Sequence, residues 1–180
     1  MHRLDKDTSG VMVAAKSDAA HQGLSALFAA HDIDRLYVAL TRGAPESVRG
    51  TITTRLGRSP HDRKKMAVLR TGGREAITHY RTQATFGPQA KPLAAKMLCR
   101  LETGRTHQIR VHMTAVHHPC CGDLLYGADP TLAAHLGLTR QWLHAVRLAF
   151  EHPSTGREVI FESAYAPDLQ HALDVLVAES

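Results

Sequence analysis

The sequence is poor in cysteine, in aromatic residues and in long apolar runs. Its 3 cysteines, Cys99, Cys120 and Cys121, are an odd number and include an adjacent pair, which is not the pattern of a disulfide framework. An aromatic content of 5% argues against a broad base-stacking platform for single strands. No apolar run reaches the ~18 residues of a membrane span. The amino-terminal residues also lack the apolar core of a secretory signal, so we expect a cytoplasmic protein with no membrane segment.

The remaining composition is that of a soluble globular domain. With 180 residues, 43% hydrophobic and 22% charged, the chain is long enough to bury a real core. The formal net charge is +5, and 13 histidines add positive charge below pH ~6.5. This balance suits a polyanionic partner such as nucleic acid, although many soluble proteins carry as much charge without one.

Hydrophobic periodicity predicts an α+β domain. Helices are expected at residues 18–30 with Ser17 as the cap, at 107–116 with Thr106 as the cap, between Asp129-Pro130 and Gly137, and from Asp168 onward. Strands are expected at residues 11–13, 33–40, 76–86, 94–103, 142–151 and 157–163. Because strands and helices do not alternate regularly, we expect a mostly antiparallel sheet. Cys99 should pack inside it.

Residues 46–75 form a polar, basic stretch that has two interpretations. The first is a solvated loop or a short hairpin near Gly72-Gly73. The second is a flexible arm that neutralises RNA phosphates, in which Arg63, Lys64 and Lys65 would contact the backbone. We favour the second interpretation because of the family resemblance described below.

The stretch HRLDKDTSG at residues 2–10 carries one carboxylate, Asp5, ahead of a run of turn-forming residues. This pattern places Asp5 on a loop that feeds a strand, where reactive groups are often found. On spacing alone, however, an aspartate close to an arginine is more often a surface ion pair than a catalyst.

The sequence of this stretch resembles the signature of the RluA-type pseudouridine synthases, which isomerise uridine in structured RNA. Further blocks occur in the order of that family: RLYVAL at 35–40, SPHDRKKMAV at 59–68, LETGRTHQIRVHM at 101–113, CGDLLYG at 121–127 and WLHAVRLAFEHPSTG at 142–156. Agreement of several unrelated blocks along most of the chain identifies it as a member of this family.

The resemblance implies a mixed, mostly antiparallel sheet flanked by helices, with a central cleft. Residues 1–180 would be the catalytic domain, without the segment that precedes the signature in the family. The substrate would be ribosomal or transfer RNA, and the reaction needs no cofactor or metal. A catalytically weak RNA-binding remnant is the alternative. The oligomeric state and the target uridine are not predicted.

The resemblance also assigns roles within the cleft. Asp5 would act as a nucleophile or as a base, Arg110 would hold it ionised, and Tyr37 would stack on the target base. Without the resemblance, Arg110 could equally pack against the sheet or bind phosphate, and Tyr37 could be a core residue with its hydroxyl at the rim. Substrate contacts are expected from a set of flanking residues: His2, Arg3, Leu4, Arg63, Lys64, Lys65, Arg105 and His107.

Two nearby features invite other interpretations. The segment HHPCC at residues 117–121 contains potential zinc ligands, but its spacing matches none of the common structural zinc sites, so we predict no metal. Asp123 in GDLLYG is expected to fix a turn rather than to take part in chemistry.

Overall fold

A mixed sheet of eight strands carries the fold of the computed structural model, which describes residues 3–180. The strands are β1 (Ser9–Gly10), β2 (Asp34–Arg42), β3 (Arg49–Arg58), β4 (Met66–Val68), β5 (Arg74–Phe86), β6 (Ala94–Leu101), β7 (Leu143–Glu151) and β8 (Glu158–Glu162). Their order is β1-β7-β2-β6-β5-β3-β4, and β8 pairs with β7. Only the β1–β7 pair is parallel among the described strands. The predicted α+β class is confirmed.

Helices cover both faces of the sheet. They are α1 (Asp18–Ala30), α2 (Gln108–Ala115), α3 (Pro130–His135) and α4 (Pro167–Ala178), with a 3₁₀ turn at Leu124–Tyr126. The alternation along β2 shows the division: Tyr37 and Ala39 pack in the cluster under α2, whereas Val38 and Leu40 pack in the cluster under α3 and α4. This burial on both faces explains why β2 is an almost continuous apolar run. None of the helices in residues 3–180 could span a membrane.

The helix ends follow the sequence signals in α1 and α3 but not in α2. Ser17 accepts a hydrogen bond from the Ala20 amide at α1, and Asp129 accepts from the Thr131 and Leu132 amides at α3. The predicted Thr106 cap is wrong, because α2 begins after His107, which has φ of 56° and no side-chain cap. The Thr106 hydroxyl instead accepts a hydrogen bond from Arg3.

The strand predicted at residues 11–13 is also wrong. The paired residues are Ser9 and Gly10, opposite His144 and Ala145 of β7. Beyond this point the same edge of β7 is occupied by β8, which pairs from Arg147 to Glu151. The apolar segment 11–13 therefore leaves the sheet and packs its valines against α1.

The basic stretch at residues 46–75 is more ordered than either interpretation predicted. Residues 49–58 form β3, which pairs with β5 on one side and with β4 on the other. The hairpin turn lies at residues 59–65, not at Gly72-Gly73. Gly72 and Gly73 carry the chain from β4 to β5, and their carbonyls accept hydrogen bonds from Arg55.

His112 on the inner face of α2 gives the fold a pH dependence. Its ring is fully buried and is hydrogen-bonded to the Thr54 and Thr78 hydroxyls at 2.9 and 2.8 Å. Burial lowers the pKa of His112 from 6.5 to about 4. Between these values the unfolded chain binds a proton that the folded protein does not, so the free energy of unfolding falls as pH falls.

Because the unfolded chain takes up a proton at His112, we expect the free energy of unfolding to fall by about 3 kcal/mol between pH 6.5 and pH 4. Urea unfolding across this range should show a shallower pH slope for His112→Gln than for the wild type, because glutamine cannot take up the proton. His21→Gln, at an exposed helix position, is the control and should keep the full slope. An unchanged slope in His112→Gln would contradict the assignment.

Candidate active site

The loop that carries Asp5 is fixed by the segment leading into β7. The Gln141 amide donates to the Lys6 carbonyl at 2.7 Å and to the Thr8 hydroxyl at 3.1 Å. Arg140 donates to the Asp7 carbonyl at 2.7 Å and forms a bidentate pair with Asp168. These contacts bind the Lys6 and Asp7 carbonyls and the Thr8 hydroxyl, so they fix the backbone directly after Asp5.

Gly10 allows the loop to join the sheet. Its φ is 117°, and a Cβ at this position would lie 2.2 Å from the Ala145 carbonyl oxygen. A side chain would therefore break the parallel contact between β1 and β7 and shift the Asp5 loop. Backbone geometry thus requires the glycine that ends the HRLDKDTSG stretch.

Asp5 itself is only loosely bonded. One carboxylate oxygen lies 3.7 Å from the Arg110 Nη1, and the other accepts a hydrogen bond from the His107 amide at 3.4 Å. The His107 amide lies at the start of α2, where the helix dipole favours a negative charge. The Asp5 side chain is 18% exposed, which leaves its oxygens free to reach a substrate.

Arg110 is oriented by Asp123. Its Nε and Nη2 donate to the two Asp123 oxygens at 2.7 and 2.9 Å, and this geometry leaves Nη1 for Asp5. Burial by itself would lower the pKa of Arg110, but the hydrogen bonds and the charge of Asp123 outweigh it and raise the pKa. The guanidinium also lies 4.9 Å from the centre of the Tyr126 ring. Asp5 therefore faces a cation that is permanently charged and fixed.

Tyr37 projects from β2 toward α2, on the face of the sheet that holds Asp5. The register of β2 against β7 shifts here because Val146 is an extra residue in β7, whereas β2 stays in unbroken register with β6. Burial raises the pKa of Tyr37 to about 12, the nearby Arg35 opposes this shift, and Asp5 adds to it. The phenol therefore keeps its proton at neutral pH.

Asp5 and Tyr37 line one cavity of about 420 Å³. It lies between the C-terminal end of α1 and the start of α2. The other residues that line it are Arg3, Leu4, Thr8, Ser25, Phe28, Ala29, His31, Arg35, Leu101, Gly104, Arg105, Thr106, Gln108, Ile109 and Leu143. The volume is sufficient for a single nucleoside.

The structure brings together most of the predicted site residues. Arg3, Leu4 and Arg105 line the cavity with Asp5 and Tyr37. Arg110 contacts Asp5 without lining the cavity, and the His107 side chain points to Tyr126.

Three predicted residues, Arg63, Lys64 and Lys65, lie in the β3–β4 turn and neither line the cavity nor contact Asp5. That turn is linked to the site by a hydrogen-bonded path: the Met66 amide donates to the Tyr126 hydroxyl, which lies 2.6 Å from the His107 Nδ1. His2 lies outside the described residues.

Sequence reasoning missed Asp123 and Arg35. Asp123 does form the predicted turn, with its amide bonded to the Cys120 carbonyl, but its side chain is buried and pairs with Arg110. The GDLLYG segment contains no apolar periodicity that would have placed its carboxylate against a helix. Arg35 is buried at the edge of the cavity, whereas its position beside Asp34 suggests a surface residue.

The cysteines lie in the core. Cys99, Cys120 and Cys121 are each buried, and Cys99 packs with Met97 as predicted. The His118 ring nitrogen is hydrogen-bonded to the Arg42 carbonyl at 2.9 Å. Within residues 3–180 no three His, Cys, Asp or Glu side chains are grouped so as to hold a metal ion.

Known proteins of similar sequence are longer than this chain and match it over part of their own length. An uncharacterized RNA pseudouridine synthase of Mycobacterium bovis is 52% identical over 180 residues, which cover 99% of the chain and 56% of the relative. The ribosomal large subunit pseudouridine synthase D of Zymomonas mobilis is 45% identical, over 98% of the chain and 56% of the relative. The chain therefore spans about half the length of these relatives.

Two solved structures and a protein-family model are also similar to this chain, and all three are described as RNA pseudouridylate synthases. The human RNA pseudouridylate synthase domain containing 1 superposes with a TM-score of 0.76 at 30% identity, over 95% of the chain and 71% of the human chain. The human RNA pseudouridylate synthase domain containing 4 gives a TM-score of 0.77 at 25% identity, over 98% of the chain and 74% of the human chain. The family described as RNA pseudouridylate synthase matches residues 1–115. This chain belongs to the RNA pseudouridylate synthase family, and within it to the RluA/RluD type.

Proposed function

We propose that the chain isomerises uridine to pseudouridine in structured RNA, with ribosomal RNA as the substrate, in the cytoplasm. The observation that carries the proposal is the placement of Asp5 in an open cavity, 3.7 Å from the Arg110 guanidinium and beside Tyr37. The name of the Zymomonas mobilis relative supports a large-subunit ribosomal RNA substrate.

The reaction rearranges one nucleotide without gain or loss of atoms. The bond between uracil N1 and the sugar C1′ breaks, the base turns over, and C5 bonds to C1′ while the C5 proton is lost and N1 gains a proton. Asp5 either attacks the sugar as a nucleophile or removes a sugar proton as a base. Both roles use the Asp5 carboxylate, one oxygen of which lies 3.7 Å from the Arg110 Nη1.

Tyr37 contributes as a neutral phenol. Because its pKa is raised to about 12, the hydroxyl is protonated at neutral pH. Its ring is positioned to stack on a base that has left the RNA helix, and its hydroxyl can hold a proton near the reacting atoms. The cavity accepts one flipped nucleotide, as this chemistry requires.

The test is direct. A large-subunit ribosomal RNA transcript is incubated with the protein, and pseudouridine is scored by carbodiimide-dependent reverse-transcription stops. New stops at defined uridines are expected. RNA binding without any stop would contradict the proposal and would leave an RNA-binding remnant as the function.

The basic turn between β3 and β4 should strengthen RNA binding without sequence preference. Arg63 and Lys64 are exposed and Lys65 is half-buried, and all three lie outside the cavity. If they neutralise phosphates, replacing all three with alanine should weaken binding and reduce the slope of log affinity against log salt concentration by about 2–3. Filter binding at several salt concentrations measures both quantities.

Arg157→Ala is the control for this prediction. Arg157 is an exposed arginine in the turn before β8, at the opposite edge of the sheet. Its loss should leave the salt slope unchanged. Equal slopes for the triple variant and the wild type would remove the β3–β4 turn from the RNA interface.

A further inference from the structure

Arg35 is a buried arginine at the wall of the cavity. It lies two residues before Tyr37 on β2, so both side chains project from the same face of the strand. The residue is 7% exposed and lines the cavity together with Asp5. Nothing in the mechanism described above uses its charge.

The guanidinium of Arg35 has few partners. One terminal nitrogen donates to the Glu102 carbonyl at 3.3 Å, and the group lies 5.7 Å from the centre of the Phe28 ring. Its Nε is buried and has no hydrogen-bond partner in the part of the chain that the structure describes. No carboxylate among residues 3–180 lies within 4.0 Å of it.

Three other arginines that are buried or half-buried have a carboxylate partner. Arg110, Arg140 and Arg147 each form an ion pair with an aspartate. Burial of a charged group without such a pair is costly unless another partner is bound in the functional state. Of the two fully buried arginines in residues 3–180, Arg110 has a carboxylate partner and Arg35 has none.

The charges around the cavity point to an anion. Among the described residues, three arginines line it, Arg3, Arg35 and Arg105, against one carboxylate, Asp5, which already faces Arg110. Burial lowers the pKa of Arg35, Tyr37 opposes this shift, and the charge of Arg105 lowers it further. Arg105 uses its Nε for the Glu75 carbonyl, and no hydrogen bond of its terminal nitrogens is formed in residues 3–180.

We propose that Arg35 and Arg105 together bind a phosphate group of the nucleotide that enters the cavity. That the ligand is a nucleotide rests on the proposed function, whereas the anion site rests on the two arginines alone. A uracil ring offers only neutral acceptors, which would leave two adjacent guanidinium charges uncompensated. A phosphate supplies both the charge and the several oxygens that two guanidinium groups can share.

Gly104 supports this arrangement and provides a second variant. A Cβ built at Gly104 would lie 2.4 Å from the Arg35 Nη1. The absence of a side chain therefore allows the guanidinium to lie beside the cavity. Gly104→Ala keeps both charges but displaces the end of the Arg35 side chain, at little expected cost to stability.

The probes are uridine 5′-monophosphate, uridine and inorganic phosphate, titrated at constant ionic strength and followed by protein NMR, including the arginine Nε–H signals. In the wild type, uridine 5′-monophosphate should bind at least about tenfold more tightly than uridine. Arg35→Met should abolish this preference, and Gly104→Ala should reduce it. Arg157→Met, at the far edge of the sheet, should keep it.

The outcomes separate the two proposals. Equal binding of the nucleotide and the nucleoside by the wild type, or an unchanged preference in Arg35→Met, overturns the phosphate site whatever the activity on RNA. Phosphate binding that depends on Arg35, without any pseudouridine in ribosomal RNA, supports the site and rejects the proposed function. Urea unfolding of Arg35→Met should show a midpoint no lower than the wild type, because the variant removes a buried charge without a carboxylate partner.

Discussion

Replacing Asp5 with asparagine is expected to lower the rate of pseudouridine formation by about 10⁴-fold or more, the effect seen when an enzyme loses its central reactive group. Asparagine has nearly the same shape, and its carbonyl can still accept the hydrogen bond from the His107 amide. It cannot attack the sugar or remove a proton. Single-turnover assays on ribosomal RNA measure the rate, and circular dichroism verifies the fold.

Asp7→Asn is the matched control, because Asp7 lies in the same loop and differs from Asp5 only in its surroundings. It is exposed and has φ of 67°, a conformation that asparagine tolerates as well as aspartate. The carbonyl that accepts from Arg140 is unchanged by the substitution. We expect close to full activity. Equal loss in both variants would show that the loop, and not the Asp5 carboxylate, is required.

Replacing Asp123 with alanine is expected to lower the free energy of unfolding by about 3–5 kcal/mol, because it leaves the buried Arg110 guanidinium without its bidentate partner. Both side chains are almost fully buried, at 6% and 2% exposed, so water cannot replace the lost hydrogen bonds. Activity should fall as well, since Nη1 of Arg110 is no longer held toward Asp5. Urea unfolding and the ribosomal RNA assay measure the two effects separately.

A second pair of variants tests the cause. Glu179→Ala breaks the exposed pair with His135, in which both side chains are about half exposed, and should cost less than about 1 kcal/mol. The double variant Arg110→Met/Asp123→Leu removes both buried charges and should recover most of the lost stability while it stays inactive. A loss below about 1 kcal/mol in Asp123→Ala would show that the pair does not hold the fold together.

Local sequence signals determined the elements whose ends and faces depend only on neighbouring residues. Ser17 and Asp129 begin their helices as predicted, since a cap needs only the amides two or three residues away. The apolar register of α4 likewise buries Leu169, Leu173 and Leu176. The signature motif placed Asp5 on its loop in the same way.

The functional assignment also came from the sequence, but through resemblance. Nothing in the spacing of Tyr37 separates an active-site tyrosine from a core residue, because both alternate with apolar residues on a strand. Only the agreement of several motifs in order indicated the family. The roles of Asp5, Arg110 and Tyr37 in the reaction remain predictions.

Tertiary structure decided the features that join residues far apart in the chain. The edge of β7 is shared between β1 and β8, and this pairing, not the apolar content of residues 11–13, determined where the first strand ends. Asp123 was placed against Arg110, and Arg35 against the cavity, by the packing of the α2 segment on the sheet. Hydrophobic periodicity predicts whether a side chain is buried or exposed. Which charged side chains pair with one another depends on strand order and helix packing. Both are determined by contacts across the whole chain.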